Sequence, residues 1–362
     1  MRRRTLFSAL AGGALAAGAA GKTVAGVDID SRAGRQSRSL LQQATPVSGL
    51  DDDLAHPIPY TPPLGTGKDR ALVLGGGGVY LLSFYVGYFN TLLKNGVDLS
   101  QADIIVGTSA GSLGGAILAS GMLAEVTQEL DALGSFPFLF GKLLPGGAPN
   151  DSQVRAKQIT IDATDAKPET IQAIGRAAMA ARNPDGPFQY ENSVEQVIGI
   201  TAWPSAGLYT TAVDCYSGER IIVSHEDGIP INVACGASSS LPGGTGPTWL
   251  KNRLCMDGGM CQTSTHCDVV AGVKKALVFS LSDGGPEAVP EGLRTSGMPN
   301  TLQQEIADLE AGGTETILIV AGLEPGSTKI DSIMDPKYIL PQIAFGQQRA
   351  EADLDRIRAF WN

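Results

Sequence analysis

Apolar residues fall into short runs separated by longer amphipathic stretches over most of the chain. "RALVL", starting at Arg70, reads as a brief buried strand, and a helix is expected from about Tyr80 to Leu93. Leu82, Tyr85, Val86 and Phe89 share one face of that helix, and Asn95-Gly96 supplies a stop signal. "DIIV" at residues 103–106 predicts a second strand, and "GTSAGSLGGAILAS" turns from it into a second helix. "GLYTTAVD" and "ERIIVS" predict a strand pair around the turn "CYSG". "KALVFSLS" and "TILIVAG" predict two more apolar strands. Helices are expected at about 168–182, 300–311 and 341–360, with residues 135–200 forming a less regular insertion. Strands that alternate with helices imply an α/β fold: a mostly parallel sheet with helices on both faces.

The N-terminus breaks this pattern. Residues 1–20 join a triple-arginine head to an Ala/Gly/Leu segment, the layout of a twin-arginine-like export signal. Export to the periplasm or the outside of the cell is therefore expected if this segment acts as a signal, and a cytoplasmic location otherwise. Residues 21–66 read as a polar, Pro-rich linker, so the folded domain is expected over 67–362. The net charge of -10 excludes nucleic acid as a partner, because phosphate neutralisation needs clustered cations. It also means that any transient contact with a membrane surface has to be apolar. The chain has 5 cysteines, Cys215, Cys235, Cys255, Cys261 and Cys267, so at least one thiol stays unpaired in a monomer. Their spacing does not suit zinc, and no metal or cofactor is expected.

Two glycine-rich corners carry the candidate chemistry. Gly107-Thr108-Ser109-Ala110-Gly111 is a G-x-S-x-G pentapeptide between a predicted strand and a predicted helix. Such a corner exposes the serine hydroxyl, and Gly107 and Gly111 keep side chains clear of the elbow. Gly75 to Gly78 also follow a strand and precede a helix, one βαβ unit upstream. Their backbone amides are candidates for an oxyanion hole. A nucleotide-binding loop is the rival, but the P-loop lysine and the Rossmann glycine spacing are both missing.

The base is less obvious. His56 falls in the linker and His225 at a hairpin end, which leaves His266 in "TSTHC" as the only histidine suited to the hydrolase chain order Ser…Asp…His. Asp257 in "CMDGGM" is the better candidate, since Gly258 and Gly259 allow a tight turn against another backbone. "GSFPFLFGKLLPGG" at 134–147 suits either an acyl-channel wall or lip, or plain core. "PETIQAIGRAAMAARN" reads as a surface helix rather than a lid.

Together these stretches resemble the patatin-like phospholipases: "GGGG" after the first strand, "GTSAG" one unit later, and "DGG" well downstream. "YTTAVDCYSGERIIVS" and "ACGASSSLPGGTGPTWL" are similar to supporting family stretches in the same order, over roughly residues 70–325. The resemblance implies a three-layer α/β/α sandwich and a Ser–Asp dyad without histidine or metal. By carry-over, Ser109 is the nucleophile, Asp257 the general base, and Gly76, Gly77 and Gly78 the oxyanion hole. Lipid or phospholipid acyl esters are then the expected substrates. One departure stands out, because family members commonly place a cation just after the glycines, where this chain has Val79-Tyr80-Leu81. That change favours a neutral ester over an anionic one, and it leaves a catalytically degenerate lipid-binding relative as the alternative.

Overall fold

The computed structural model describes residues 56–57, 64–136, 149–181 and 189–362. All belong to the unit Ala55–Asn362. The signal-like residues 1–20, the linker up to residue 55, and residues 137–147 of the Phe-rich stretch lie outside the described residues.

A mixed sheet organises the domain. Its parallel strands are β2 (Arg70–Leu74), β3 (Ile104–Gly107), β4 (Leu208–Asp214), β8 (Lys275–Ser280) and β9 (Glu315–Val320), in the spatial order β4-β3-β2-β8-β9. On the β4 side, β5 (Arg220–Val223) pairs antiparallel, and the two-residue β1 (His56–Pro57) adds to β5. The segment expected as linker thus contributes two residues of backbone to the sheet edge.

The inner strands read as unbroken apolar runs because both of their faces are covered. Ala71 and Val73 of β2 pack with Val269, Val270, Leu302 and Leu309 on one face. On the other, Phe279 of β8 meets the rings of Tyr85, Tyr88 and Phe89 at 5.8, 5.1 and 5.4 Å. Those rings lie on α1 (Gly78–Lys94), which is itself covered by α9 (Ile339–Trp361). Phe84 meets Phe345 there at 5.8 Å, and Tyr88 donates to Asp353 Oδ2 at 3.0 Å. The expected one-sided apolar face of α1 is therefore too narrow. Residues Val79 to Asn90 are all buried, since the helix is sandwiched between sheet and helix.

Two features add to the sequence expectation. Among the described residues, 135–200 hold the expected helix α5 (Pro168–Ala180) and two more that were not expected, α4 (Asp151–Ile161) and α6 (Gln189–Ile198). A capping box between Asn150 and Gln153 starts α4. Secondly, Asp257 stands just before the expected Gly258-Gly259 turn, at the end of β7 (Arg253–Asp257), which forms a hairpin with β6 (Thr248–Leu250). That hairpin decides where the carboxylate goes. β4 pairs with β3 only up to Thr210, opposite Gly107, and then overhangs. β7 runs antiparallel along the overhang and returns to set Asp257 opposite Ala212.

The corners after β2 and β3 share one sheet edge, because Leu74 pairs in register with Gly107. The chain leaves β2 toward β3 on one side and later returns to β8 on the other. Such a reversal opens a crevice at the C-terminal ends of the strands, where α/β sheets bind ligands.

Candidate active site

Ser109 sits at the corner between β3 and α2 (Ala110–Ala119) with φ 52° and ψ -120°. A left-handed φ is costly for a residue with a Cβ and persists only where its surroundings enforce it. Here the backbone N–H of Ser109 donates to Ser238 Oγ at 2.8 Å, and its carbonyl accepts from Ser112 Oγ at 2.7 Å. Both flanking glycines are required by space. A Cβ on Gly107 would come 2.6 Å from Ser112 Cα, and one on Gly111 would press into the Leu74 carbonyl.

The β2 corner lies directly across. Gly75 is pinned by its N–H to Phe279 O at 2.9 Å, and its carbonyl accepts the Tyr85 hydroxyl at 2.8 Å. Gly76 follows so closely on the elbow that a Cβ there would stand 3.1 Å from Ser109 Cβ. Gly78 takes φ +60° to enter α1. Among the described residues, the amides of Gly76, Gly77 and Gly78 have no hydrogen-bond acceptor. Unengaged donors beside a serine hydroxyl suit a developing negative charge.

Asp257 is 2% exposed. Its Oδ1 accepts from Gly259 N at 2.7 Å, whereas Oδ2 has no hydrogen-bond partner. Burial raises its pKa to about 7, against smaller downward pulls from the Gly259 amide and the Ser109 hydroxyl. Ser109 and Asp257 border one cleft, although Oδ2 is not engaged at bonding distance. Catalytic hydrogen bonds are commonly loose before substrate arrives.

Two clefts meet at Ser109. One, with about 560 Å³ of open space, is bordered by Gly76, Gly77, Ser109, Asp257 and Gly259. The other, about 690 Å³, is bordered by Ser109, Gly78 and an apolar wall that includes Leu82, Leu113, Leu130, Leu133 and Val194. The expected oxyanion glycines therefore straddle the serine, with Gly76 and Gly77 on the polar side and Gly78 on the apolar side.

His266 borders neither cleft. It is fully buried, and its Nδ1 faces Arg220 Nη1 at 3.0 Å while its Nε2 faces Gly258 O at 3.0 Å. Arginine only donates, so Nδ1 accepts and the Nε2 proton goes to the carbonyl next to Asp257. Burial and the Arg220 charge lower its pKa to about 4, which keeps the ring neutral. Its role is to hold the turn after β7. His266→Ala is expected to cost about 1–3 kcal/mol of stability by stranding those partners, while ester hydrolysis stays within about tenfold of wild type. Denaturant melts alongside kinetics would check both halves. His225 is exposed, and the side chain of His56 lies outside the described residues.

Ser238 and Thr211 also shape the corner. Ser238 fixes the elbow amide, and Thr211 Oγ1 bonds Thr108 Oγ1 at 2.7 Å, tying the end of β3 to β4. Ser238 lies in the quoted stretch "ACGASSSLPGG", but nothing in that run singles it out from two neighbouring serines. All five cysteines are free, and four of them are buried.

Residues 72–265, more than half of the chain, match the family described as Patatin-like phospholipase. No curated protein matches the sequence. Among solved structures the chain is similar to VipD from Legionella pneumophila, at 14% identity and a TM-score of 0.41, over 88% of this chain and 73% of that one. It is also similar to the type III effector protein ExoU, at 18% identity and a TM-score of 0.36, over 81% of this chain and 54% of that one.

Proposed function

Because the chain belongs to the patatin-like phospholipase family, we propose that it hydrolyses lipid acyl esters through a covalent intermediate on Ser109. At the level of the family the chain is a lipid hydrolase. The finer reading assigns the general base to Asp257 and the oxyanion hole to the amides of Gly76, Gly77 and Gly78. One observation carries it: a strained serine, a buried carboxylate with a pKa of about 7 and the unengaged amides of Gly76 and Gly77 border the same cleft, with Gly78 on the other side of the serine.

The steps follow from these groups. Ionised Asp257 takes the proton from the Ser109 hydroxyl as its oxygen attacks the ester carbonyl. Charge on the former carbonyl oxygen is stabilised by the glycine amides, each such donor contributing about 3 kcal/mol to the transition state. Collapse breaks the ester bond, and protonated Asp257 gives its proton to the departing alkoxide. Water then repeats the sequence on the acyl-serine, releasing the fatty acid and restoring the hydroxyl. An ordinary aspartate is too weak a base for the first step at neutral pH, so burial of Asp257 is part of the mechanism.

A fluorophosphonate probe tests the nucleophile directly. Folded protein is expected to take up one label, and peptide mapping is expected to find it on Ser109. Folded protein that resists labelling would instead fit a lipid-binding relative without turnover.

A further inference from the structure

The two clefts at Ser109 differ in chemistry. The one on the Gly78 side is almost wholly apolar. The one on the Asp257 side is bordered by Ser264, Ser280, Ser282, Thr295 and Asn300, with Arg294 as the one cation among the residues that border it. Arg294 belongs to the loop between β8 and the helix α8 (Leu302–Ala311), beyond the family-matched residues 72–265.

This guanidinium is held but not neutralised. Nη1 donates to Met298 O and Nη2 to Gln262 O, the second at 3.2 Å. Both acceptors are uncharged carbonyls, and among the described residues no carboxylate pairs with Arg294. Partial burial alone lowers its pKa, with no acidic neighbour raising it again. By contrast, Arg220 is paired with Asp268 at 2.6 Å and Arg253 with Asp214 at 3.3 Å. A half-buried cation without a counter-ion is costly, and one with spare N–H donors presents a fork that fits phosphate.

We infer that Arg294 is the specificity residue of this site: it binds an anionic phosphodiester on the alcohol half of the ester, while the apolar cleft takes the acyl chain. The inference rests on Ser109 being the nucleophile, since that residue joins the two clefts. It reverses the sequence-based expectation of a neutral ester. That expectation considered only the residues after the glycines, Val79-Tyr80-Leu81, whereas the cation comes from a loop about two hundred residues later in the chain. The overall charge of -10 does not oppose this, because exposed charges are screened within about 8 Å at physiological ionic strength.

The test uses the full chain in non-ionic detergent micelles with two substrates of the same acyl chains, dioleoyl phosphatidylglycerol and dioleoylglycerol. Wild type is expected to favour the phosphodiester by at least tenfold in kcat/KM. Arg294→Gln is expected to lower the ratio of the two kcat/KM values at least tenfold, and Arg294→Lys to restore part of it. General damage to the loop would depress both substrates together, so an unchanged ratio in Arg294→Gln overturns the inference. Should that variant fail to fold, wild type still decides. Glycerol 3-phosphate is expected to inhibit hydrolysis of p-nitrophenyl butyrate competitively at concentrations where glycerol does not. Equal inhibition by both overturns the inference. A Ser109→Ala control separates the two levels: if it still cleaves these esters, the assigned nucleophile is wrong, whatever Arg294 does.

Discussion

Ser109→Ala is expected to lower kcat on a p-nitrophenyl ester by about 10⁴- to 10⁶-fold, with the fold intact. The size follows from removal of the attacking atom, since the remaining cleft and amides can assist only direct attack by water. The intact fold follows from geometry. Alanine keeps the Cβ that already tolerates φ 52°, and the bonds that fix the elbow use the backbone N–H and carbonyl of residue 109. Circular dichroism and a thermal melt should match wild type to within about 0.5 kcal/mol. A well-folded variant that keeps a tenth of the wild-type rate would remove Ser109 from the mechanism.

Asp257→Asn is expected to reduce kcat by about 10²- to 10⁴-fold, the usual worth of a general base, and to raise stability at alkaline pH. The second effect separates a catalytic carboxylate from a structural one. The folded-state pKa is about 7, whereas an unfolded aspartate titrates near 3.9. Between those values the folded protein binds a proton that the unfolded chain does not, so this residue favours folding as pH falls. Above pH 7 the ionised group is buried with Oδ2 unpaired, and its cost is fully expressed. Asparagine removes that charge. The variant should exceed wild type at pH 8 by on the order of 2 kcal/mol, and the gap should close by about pH 4. Activity runs the other way. The base acts when ionised, so wild-type kcat/KM should fall about tenfold per pH unit below 7. Urea melts at pH 4.5 and pH 8 with a pH–rate profile would check these signs. A variant less stable than wild type at pH 8 would make Asp257 a structural residue.

The same carboxylate marks where sequence reading runs out. "DGG" pointed to Asp257, but a turn beside two glycines says nothing about its neighbours. The overhang of β4 past β3, and the antiparallel return of β7 along it, bring the carboxylate to the elbow. His266 is the converse case. Residue type and chain order made it a candidate base, yet its two ring nitrogens are committed to Arg220 and to the Gly258 carbonyl. Helix α1 shows the limit of periodicity, because α9 covers the face that the pattern left for solvent.

What the sequence determined by itself was local: the alternating strands and helices, and the two glycine corners where side chains cannot fit. Each depends on residues within one or two turns of chain, so a linear pattern can carry it. The tertiary structure alone decided which groups meet. Desolvation of Asp257, the partners of His266 and the cation Arg294 in the cleft arise from residues far apart in the chain. Burial and electrostatics depend on distance in space, which hydrophobic spacing along the chain does not encode.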